Sequence, residues 1–332
     1  MNKNIKRIVS GMRPTGRMHL GNYNGVIKNW IELQNTHECL FFIADMHALT
    51  THYEKYYSIK HNIKNIIIEW LACGIDPKKC TIFIQSNIPE TFELHLILSM
   101  ITQLSWLERI PTYKEKCTEA NTYGFLGYPV LQGADVLIFN ADYVPIGYDQ
   151  IPHIEIIRKI VRKFNNTFNI LNNKNKFTLK EPIELINNYS KVIGIDGKKM
   201  SKSNENTILL IDDSETIKKK IKKMQTDPNR IFRYDIGNPT LCNVWSLHQM
   251  YSNDKDLNYI EISCKTAKIG CTECKNFIHE NLLKIHTPIL NNIKEYEKDE
   301  KKINNIIKDG IKHARKIAKK TLKAIKKCIN IL

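Results

Sequence analysis

Long apolar runs are what this 332-residue sequence most clearly lacks. No stretch reaches the roughly 18 apolar residues that a membrane-spanning helix needs, so no membrane association is expected. The amino-terminal segment, MNKNIKRIVSG, carries basic residues without the apolar stretch of a secretory signal behind them. We therefore expect a cytoplasmic protein, although this segment does not distinguish a bacterial from an organellar source.

Acidic residues and arginine are both scarce. The chain has 34 Asp and Glu against 50 Lys and Arg, which gives a net charge of +16. A basic balance is typical of proteins that neutralise nucleic-acid phosphates. However, only 9 of the 50 basic residues are Arg, and Asn and Ile are abundant, as a compositionally biased genome would also produce. Charge alone therefore leaves RNA binding and compositional drift equally open.

Disulfides are not expected, because the nine cysteines are odd in number and no secretory signal precedes them. Five of these cysteines are scattered along the chain. The other four, Cys242, Cys264, Cys271 and Cys274, follow the spacing C-x21-C-x6-C-x2-C. Four thiolates ending in a CxxC pair fit a tetrahedral site that holds either zinc or a cubane iron–sulfur cluster.

Short apolar runs alternate with helical spacing in the first third of the chain. The runs at 8–9, 39–44 and 81–85 predict strands, and the spacing at 26–33 and 59–73 predicts helices. This alternation predicts an α/β fold with a Rossmann-like, doubly wound parallel sheet. We expect residues 1–211 to form this domain, with a helical insertion at about 90–190. Residues 212–332 are expected to form a mainly helical second domain.

The stretch Ile5–Asn22, IKRIVSGMRPTGRMHLGN, joins a strand to a helix through a turn rich in Gly and Pro. Glycines allow the backbone to approach a ligand closely, and a helix start offers unpaired N–H groups to an anion. The stretch therefore predicts a nucleotide-phosphate site. Far downstream, residues 199–203 read KMSKS, with two lysines on a loop near glycines.

A polar stripe interrupts an apolar segment for which a helix is predicted at 128–139. Tyr128, Gln132 and Asp135 are spaced i, i+4 and i+7, so they share one face of that helix. Buried polar groups are costly unless they have partners. The stripe is therefore either a hydrogen-bonded core network or the wall of a pocket. After it we expect a loop at 144–150, a helix at 152–164 and an Asn-rich connector at 165–188, with a short strand at 192–195.

These motifs carry a family resemblance. HLGN at 19–22 resembles the HIGH motif of class I aminoacyl-tRNA synthetases, and KMSKS at 199–203 matches the second motif of that class letter for letter. The tryptophanyl-tRNA synthetases of bacteria are similar over nearly the whole chain. The stretches that carry this similarity are SGMRPTGRMHLGN (10–22), FIADMHALT (42–50), PTYKEK (111–116), YPVLQGADVL (128–137) and VPIGYDQIPHIE (144–155).

The resemblance implies ATP-dependent attachment of L-tryptophan to tRNA(Trp) by a homodimer that uses Mg²⁺. Activation joins a carboxylate to the α-phosphate of ATP and releases pyrophosphate, so catalysis depends on positioning and on positive charge. The implied catalytic residues are His19, Asn22, Lys199 and Lys202. The implied ATP-binding residues are Arg13, Pro14, Thr15, Gly21, Asn22, Gly147, Tyr148, Asp149, Val192, Lys199, Met200, Ser201, Lys202 and Ser203. Arg13 stands where the family commonly has Gln, and Tyr148 where it commonly has Glu.

For the amino acid, Asp135 is the key candidate, because an indole N–H is only a donor and a carboxylate can accept it. A site built this way rejects an analogue without the donor by roughly 10⁴–10⁵. The resemblance implies that Tyr128 and Gln150 hold the substrate ammonium. Gln132 and His47 complete the predicted pocket.

Alternatives stay open at this point. Gln132 stands where tryptophan enzymes often have Met, and Tyr-x3-Gln-x2-Asp also resembles tyrosyl-tRNA synthetases. A phenol O–H could bond Asp135 too, so local chemistry does not separate the two substrates. A synthetase-derived RNA-binding protein without ligase activity is a rival from another class, which intact HLGN and KMSKS argue against. A third alternative is a small nucleotidyltransferase of the superfamily that shares the HIGH motif. The large helical second domain argues against it.

The C-x6-C-x2-C ending resembles the cluster motif of a tryptophanyl-tRNA synthetase subgroup with a [4Fe–4S] centre. The first gap, between Cys242 and Cys264, is one residue shorter than in that subgroup. The resemblance implies an iron–sulfur cluster, with zinc as the alternative. Its expected role is to staple a helical domain that reads the tRNA anticodon, without redox chemistry.

Overall fold

A five-stranded parallel sheet lies at the centre of the protein. The computed structural model describes residues 5–116, 122–171, 176–186 and 192–331. The strands are β1 (Arg7–Met12), β2 (Glu38–Ile43), β3 (Cys80–Ile84), β4 (Tyr143–Ile146) and β5 (Ile183–Ile186), in the order β3-β2-β1-β4-β5. This order reverses between β1 and β4, and ligands bind above such a switch point, at the carboxyl ends of the strands. The predicted doubly wound fold is confirmed.

The first three strands were predicted and the last two were not. β2 is buried along nearly its whole length, which is why residues 39–43, CLFFI, form a continuous apolar run. By contrast, β4 is only four residues long and contains Pro145, and β5 is a short edge strand with an exposed Ile183. The predicted loop at 144–150 and connector at 165–188 were therefore wrong where these strands lie.

Helices cover both faces of the sheet. In the first two thirds of the chain they are α1 (Leu20–Asn22), α2 (Lys28–Leu33), α3 (Asp45–His52), α4 (Ile59–Cys73), α5 (Pro89–Ser99), α6 (Leu104–Glu108), α7 (Pro111–Lys116), α8 (Tyr123–Leu137) and α9 (Ile151–Leu171). A π-helical turn, Tyr23–Ile27, joins α1 to α2. No helix within the described ranges is long and apolar enough to cross a membrane.

α8 and α9 differ most from their predicted bounds, and α2 begins at Lys28 rather than at 26. α8 begins at Tyr123 rather than at 128, because the Thr122 side chain caps it by accepting a hydrogen bond from Phe125 N at 3.1 Å. Pro129 consequently lies inside the helix and does not start it. α9 runs to Leu171, seven residues beyond its predicted end at 164.

Two apolar cores pack on the two faces of the sheet. On one face, Trp30 stacks on Phe41 with ring centroids 4.2 Å apart, and Trp70 meets Trp30 edge-on. On the other face, Phe83 packs against Phe139 at 5.2 Å. Residues that alternate along each strand therefore fill opposite cores, and the carboxyl edge between them is left for polar side chains.

After residue 212 the described chain is helical, as predicted. The helices are α10 (Ser214–Lys223), α11 (Asn243–Tyr251), α12 (Asp254–Lys265), α13 (Cys271–Lys298) and α14 (Glu300–Cys328). α14 returns to the sheet, where a Cβ atom at Gly310 would collide with the carbonyl group of Ile82 in β3. Ala314 and Ala318 are buried in the same core as Phe83. Small residues thus let α14 lie directly against the edge strand, although the domain boundary at 211 stays a prediction.

Candidate active site

The loop after β1 brings the HLGN motif to the carboxyl edge of the sheet. His19 N donates to Asn22 Oδ1 at 3.2 Å, which closes the first turn of α1. A Cβ atom at Gly21 would lie 2.8 Å from the His19 ring, so only glycine lets the ring fold back on the helix start. Burial, reinforced by the nearby Lys202 charge, lowers the pKa of His19 to about 4. The ring is therefore neutral at physiological pH, so it can take part in hydrogen bonds but carries no charge.

One buried amide braces the KMSKS loop. Asn206 Oδ1 accepts from Ser201 N at 2.8 Å, and its Nδ2 donates to Asp196 Oδ1 at 2.7 Å and to Lys199 O at 3.1 Å. Met200 N donates to the Val192 carbonyl at 2.9 Å, so that carbonyl is already engaged within the loop. The strand predicted at 192–195 was wrong, because residues 193 and 199 form only an isolated bridge.

The two motifs meet in space. Leu20 N donates to Ile208 O, and Leu210 N donates to Met18 O, both at 3.0 Å, so the segment after KMSKS pairs with HLGN. Lys202 Nζ donates to the Gly16 carbonyl at 2.7 Å. The chain therefore places His19, Asn22 and Lys202 around one point, although 180 residues or more separate Lys202 from the other two in sequence.

The remaining lysine of the motif is placed differently. Lys199 has an exposed side chain, whereas Lys202 is half-buried. Burial lowers the pKa of Lys202 to about 8, and the nearby Arg13 charge acts in the same direction while Glu69 opposes it. The side chain of Ser203 lies outside the described part of the structure.

The segment after β4 contains three more of the predicted ATP-binding residues. Gly147 precedes a single 3₁₀ turn, Tyr148–Gln150, in which Tyr148 is exposed and Gln150 Nε2 donates to Asp149 Oδ2 at 3.0 Å. Across the switch point, Arg13 Nη1 donates to Thr51 Oγ1 at 3.3 Å. Thr15 N donates to Arg13 O at 2.9 Å, and the Pro14 carbonyl accepts from Asn62 Nδ2.

A second cluster surrounds Asp135, which is 3% exposed. His47 Nε2 lies 2.8 Å from Asp135 Oδ2, and Gln85 Nε2 donates to Oδ1 and Oδ2 at 2.9 and 2.8 Å. A carboxylate offers about four acceptor positions, so Oδ1 can still accept a further donor. The polar stripe therefore includes a hydrogen-bonded network. Gln85 was missed, since a single Gln at the end of a strand carries no signal in one sequence.

The other two members of the stripe bond to a histidine from α9. His153 Nδ1 lies 2.9 Å from Gln132 Oε1, and its Nε2 lies 2.9 Å from the Tyr128 hydroxyl. Because a carbonyl oxygen only accepts, Nδ1 carries the proton and Nε2 accepts from Tyr128. Burial lowers the pKa of His153 to about 4, which keeps the ring neutral for this arrangement. The oxygen of Gln132 is thus occupied inside the protein.

The four clustered cysteines are free thiols, and Cys274 lies within electrostatic range of the other three. Burial, and then the nearby thiols of Cys242, Cys264 and Cys271, raise the pKa of Cys274 to about 12. Arg230 Nη1 lies 3.9 Å from Cys264 Sγ. In the described ranges, however, no group of three or more His, Cys, Asp or Glu side chains is placed to hold a metal ion. The assignment of a cluster or zinc therefore rests on the sequence pattern.

Comparison with known proteins identifies the class. The family model described as "tRNA synthetases class I (W and Y)" matches residues 1–287. The chain is 41% identical to the tryptophan–tRNA ligase of Thermotoga maritima, covering 98% of this chain and 99% of that one. It is 38% identical to the tryptophan–tRNA ligase of Ralstonia nicotianae, covering 98% of both. The protein belongs to the class I aminoacyl-tRNA synthetases of the tryptophan and tyrosine group.

A solved structure agrees with this assignment. Tryptophanyl-tRNA synthetase from Campylobacter jejuni, crystallised with ADP and tryptophan, superposes with a TM-score of 0.87 at 31% identity and covers 98% of this chain and 99% of that one. Within its class the protein is a tryptophan–tRNA ligase, which attaches L-tryptophan to tRNA(Trp) at the expense of ATP. The prediction of tryptophan over tyrosine is confirmed.

Proposed function

We propose that tryptophanyl-adenylate forms at the carboxyl edge of β1 and β4, between HLGN and KMSKS. The observation that carries this assignment is the hydrogen bond of Lys202 Nζ to Gly16 O at 2.7 Å, which holds a half-buried cation against the loop that leads to His19. In this role Lys202 and Lys199 stabilise the leaving pyrophosphate, and His19 and Asn22 bond the α-phosphate and ribose. The other predicted ATP contacts stay proposals.

Mg²⁺ would enter this site with ATP. The described side chains near the start of the HLGN helix are mainly neutral or cationic: Lys202, Arg13 and a neutral His19. Such residues suit an ion held chiefly by substrate phosphates, as Mg²⁺ commonly is, rather than by a cage of carboxylates. The ion would neutralise negative charge on the ATP phosphates.

For the amino acid, we propose that Asp135 accepts the indole N–H while His47 and Gln85 hold the carboxylate in place. Tyr128 and Gln150 would hold the substrate ammonium. Gln132 would act through His153, because its oxygen is bonded to that ring. This arrangement explains how a tryptophan enzyme can carry Gln at a position where Met is common.

ATP–pyrophosphate exchange driven by tryptophan, tyrosine or phenylalanine tests this pocket directly. We expect exchange with tryptophan alone in the wild type, and an Asp135→Ala variant that has lost this preference while ATP still binds. Asp149→Ala, which changes a carboxylate in the proposed ATP wall, is the matched comparison. Near-normal affinity of Asp135→Ala for tryptophan would rule out the assigned role.

We also propose that residues 1–211 form the catalytic domain and that 212–332 bind the tRNA anticodon. The insertion predicted at about 90–190 contains β4 and β5 of the central sheet, so only helices α5 to α8, between β3 and β4, are left as a helical insertion. An exposed aromatic pair supports the second assignment. Phe232 and Tyr234 stack with ring centroids 5.3 Å apart and planes 7° apart, and both are more than half exposed. Asp235 Oδ2 fixes this loop by accepting from Ile231 N and Phe232 N. Unpaired RNA bases stack on aromatic rings of this kind.

The aromatic pair can be tested apart from activation. Phe232→Ala should raise the KM for tRNA about tenfold, which corresponds to the lower end of base–aromatic stacking. Pyrophosphate exchange, which needs no tRNA, should be unchanged. Tyr259→Ala removes another half-exposed aromatic residue of the same domain and serves as the control. Equal tRNA kinetics in wild type and Phe232→Ala would contradict the assignment.

For the four cysteines, we propose a [4Fe–4S] cluster, with zinc as the alternative. Two observations support a shared site: the thiols interact electrostatically with one another, and the guanidinium of Arg230 lies beside Cys264 to offset thiolate charge. Iron and zinc should be measured in anaerobically purified protein. Cys271→Ser should lose the metal and Cys73→Ser should keep it, whereas full retention in Cys271→Ser would remove that thiol from the ligand set.

We further propose a cytoplasmic homodimer. Three apolar side chains of the α5–α6 region, Leu96, Met100 and Leu104, are 58%, 73% and 61% exposed, as expected of a face that a second copy covers. Sedimentation of the wild type and of Met100→Lys tests this. A wild type that sediments as a monomer at micromolar concentration would contradict it.

A further inference from the structure

A buried carboxylate from α4 lies beneath the ATP loop and outside every motif. Glu69 is 0% exposed. Its Oε2 accepts from Met18 N at 2.9 Å, and its Oε1 lies 2.7 Å from Arg17 Nε. A buried carboxylate is stable only when it is paired, and here both partners come from the two residues that precede His19. Glu69 therefore fixes the backbone from which His19 projects.

The same carboxylate faces the second motif. Glu69 interacts electrostatically with Lys202, and it is the anion that favours the charged form of that lysine. Lys202 in turn bonds Gly16 O, one residue before Arg17. Glu69 is thus in contact with the HLGN loop and within electrostatic range of the KMSKS lysine, although nothing in the sequence of α4 points to it.

We propose that Glu69 is a positioning residue for adenylate formation, which holds the Met18–His19 backbone and supplies the negative charge that keeps Lys202 in its working state. This inference rests on the proposed role of Lys202 at the ATP phosphates. It assigns Glu69 no contact with substrate. Its effect on the reaction runs entirely through His19 and Lys202.

The role of Glu69 predicts a change in the pH dependence of exchange activity. The charged or titratable groups that face Lys202 are Glu69, Arg13, His19 and His52. Burial lowers the pKa of Lys202 to about 8 despite the opposing effect of Glu69. Without Glu69, Arg13 remains and the nearest anion is gone, so Lys202 loses its proton at lower pH. The alkaline limb of the exchange activity must then move toward neutral pH.

The activity at acid pH provides a second test of the role of Glu69. The groups that face Glu69 are Arg17, Lys202 and Cys73. Burial raises the pKa of Glu69 to about 7, against the lowering effect of Arg17, the Met18 N–H and Lys202. Activity of the wild type should therefore fall below about pH 7 as this carboxylate is protonated. A Glu69→Gln variant has no such proton to gain, so its activity should lack that limb.

The test compares Glu69→Gln with Glu297→Gln. Both remove a carboxylate beside Arg17, but Glu297 is a surface residue of α13, 3.5 Å from Arg17 Nη2. The glutamine at 69 keeps an oxygen that can accept from Met18 N, so the fold is retained, as thermal melting will check. Exchange is measured from about pH 6 to 9.5 with ATP and tryptophan varied separately.

We expect Glu69→Gln to lower kcat/KM for ATP at least tenfold near pH 8 and to shift the alkaline limb down by about half a unit or more. Tryptophan affinity should change less than about twofold, and Glu297→Gln should retain the wild-type profile. Glu69→Asp should restore part of the pH dependence. An unchanged pH profile in folded Glu69→Gln, or the same shift in Glu297→Gln, overturns the inference.

Lys202→Met distinguishes a failure of the proposed role of Lys202 from a failure of the proposed role of Glu69. Exchange that survives in Lys202→Met contradicts the proposed role of that lysine. Exchange that is lost in Lys202→Met, while Glu69→Gln keeps the wild-type pH profile, contradicts the role of Glu69 alone.

Discussion

Gln85, the residue that follows β3, donates from Nε2 to both carboxylate oxygens of Asp135 in α8, at 2.9 and 2.8 Å. The carbonyl oxygen of the same side chain accepts from the backbone N–H groups of Met46 and His47. One amide therefore connects β3, the start of α3 and the residue that is proposed to select tryptophan. Its orientation is fixed at both ends.

Replacing Gln85 with Met should weaken tryptophan binding specifically. The variant keeps the side-chain length but leaves the buried Asp135 with one donor fewer, which costs about 1.5–3 kcal/mol for a charged group, or roughly 10- to 100-fold in KM. The KM for ATP should stay close to the wild-type value. Steady-state exchange kinetics measure both quantities. If Gln85→Met raised both KM values equally, the amide would have a general structural role instead.

Lys202→Met should reduce pyrophosphate exchange by roughly 10²–10³-fold, because it removes a half-buried cation from the point where phosphate charge is proposed to develop. Lys198→Met provides the matched control, since Lys198 is an exposed lysine of the same loop. Exchange at saturating tryptophan and varied ATP measures the effect. Similar activities of the two variants would show that Lys202 has no special position.

His153 should make the protein less stable in mild acid. Its pKa is lowered to about 4 in the folded protein, below the ordinary value of 6.5, so the unfolded chain binds the extra proton first as pH falls. The free energy of unfolding should therefore decrease between about pH 6.5 and 4, by up to about 1.4 kcal/mol per unit for this one group. Urea titrations of wild type and His153→Gln measure the contribution as a difference in slope.

The comparison of slopes is needed because Glu69 acts in the opposite direction. Its raised pKa means that the folded protein binds a proton first as pH falls from about 7, which stabilises the fold. His313, exposed on α14, is a suitable control position. A His153→Gln variant with the same pH slope as His313→Gln would contradict the expectation.

Gly310→Leu should destabilise the whole protein. The side chain would meet the carbonyl group of Ile82, which cannot move without distorting β3, so α14 must shift at a cost of about 1–3 kcal/mol or more. Chemical denaturation, with Lys312→Leu as an exposed control on the same helix, measures this loss. Equal stability of the two variants would mean that α14 packs elsewhere in solution.

Some of this architecture can be predicted from sequence and some cannot, for physical reasons. β2 is buried on both faces, so the five residues after Glu38 form a continuous apolar run, which predicts a strand. The short strand β4 contains a proline and gains its pairing from β1 and β5, so local sequence gives no strand signal there. A strand that forms only because adjacent strands pair with it cannot be predicted from its own sequence.

The site divides in the same way. His19 and Lys202 belong to motifs that can be recognised in the sequence from their residue pattern. Gln85 and Glu69 act through long-range contacts of 50 and 51 residues, and a lone Gln or Glu has no pattern to detect. His153 lies within a stretch that resembles the family, yet its bond to Gln132 depends on how α8 packs against α9.

The packing of α14 on the edge strand has a consequence for how the protein is made. β3 is at the open end of the sheet, where unpaired backbone groups invite association with other chains. The helix that shields this edge is the last one in the described chain, so it leaves the ribosome after every strand has emerged. During synthesis the nascent sheet is therefore unprotected for about two hundred residues of translation, and chaperone capture of ribosome-bound chains should be strongest in that interval.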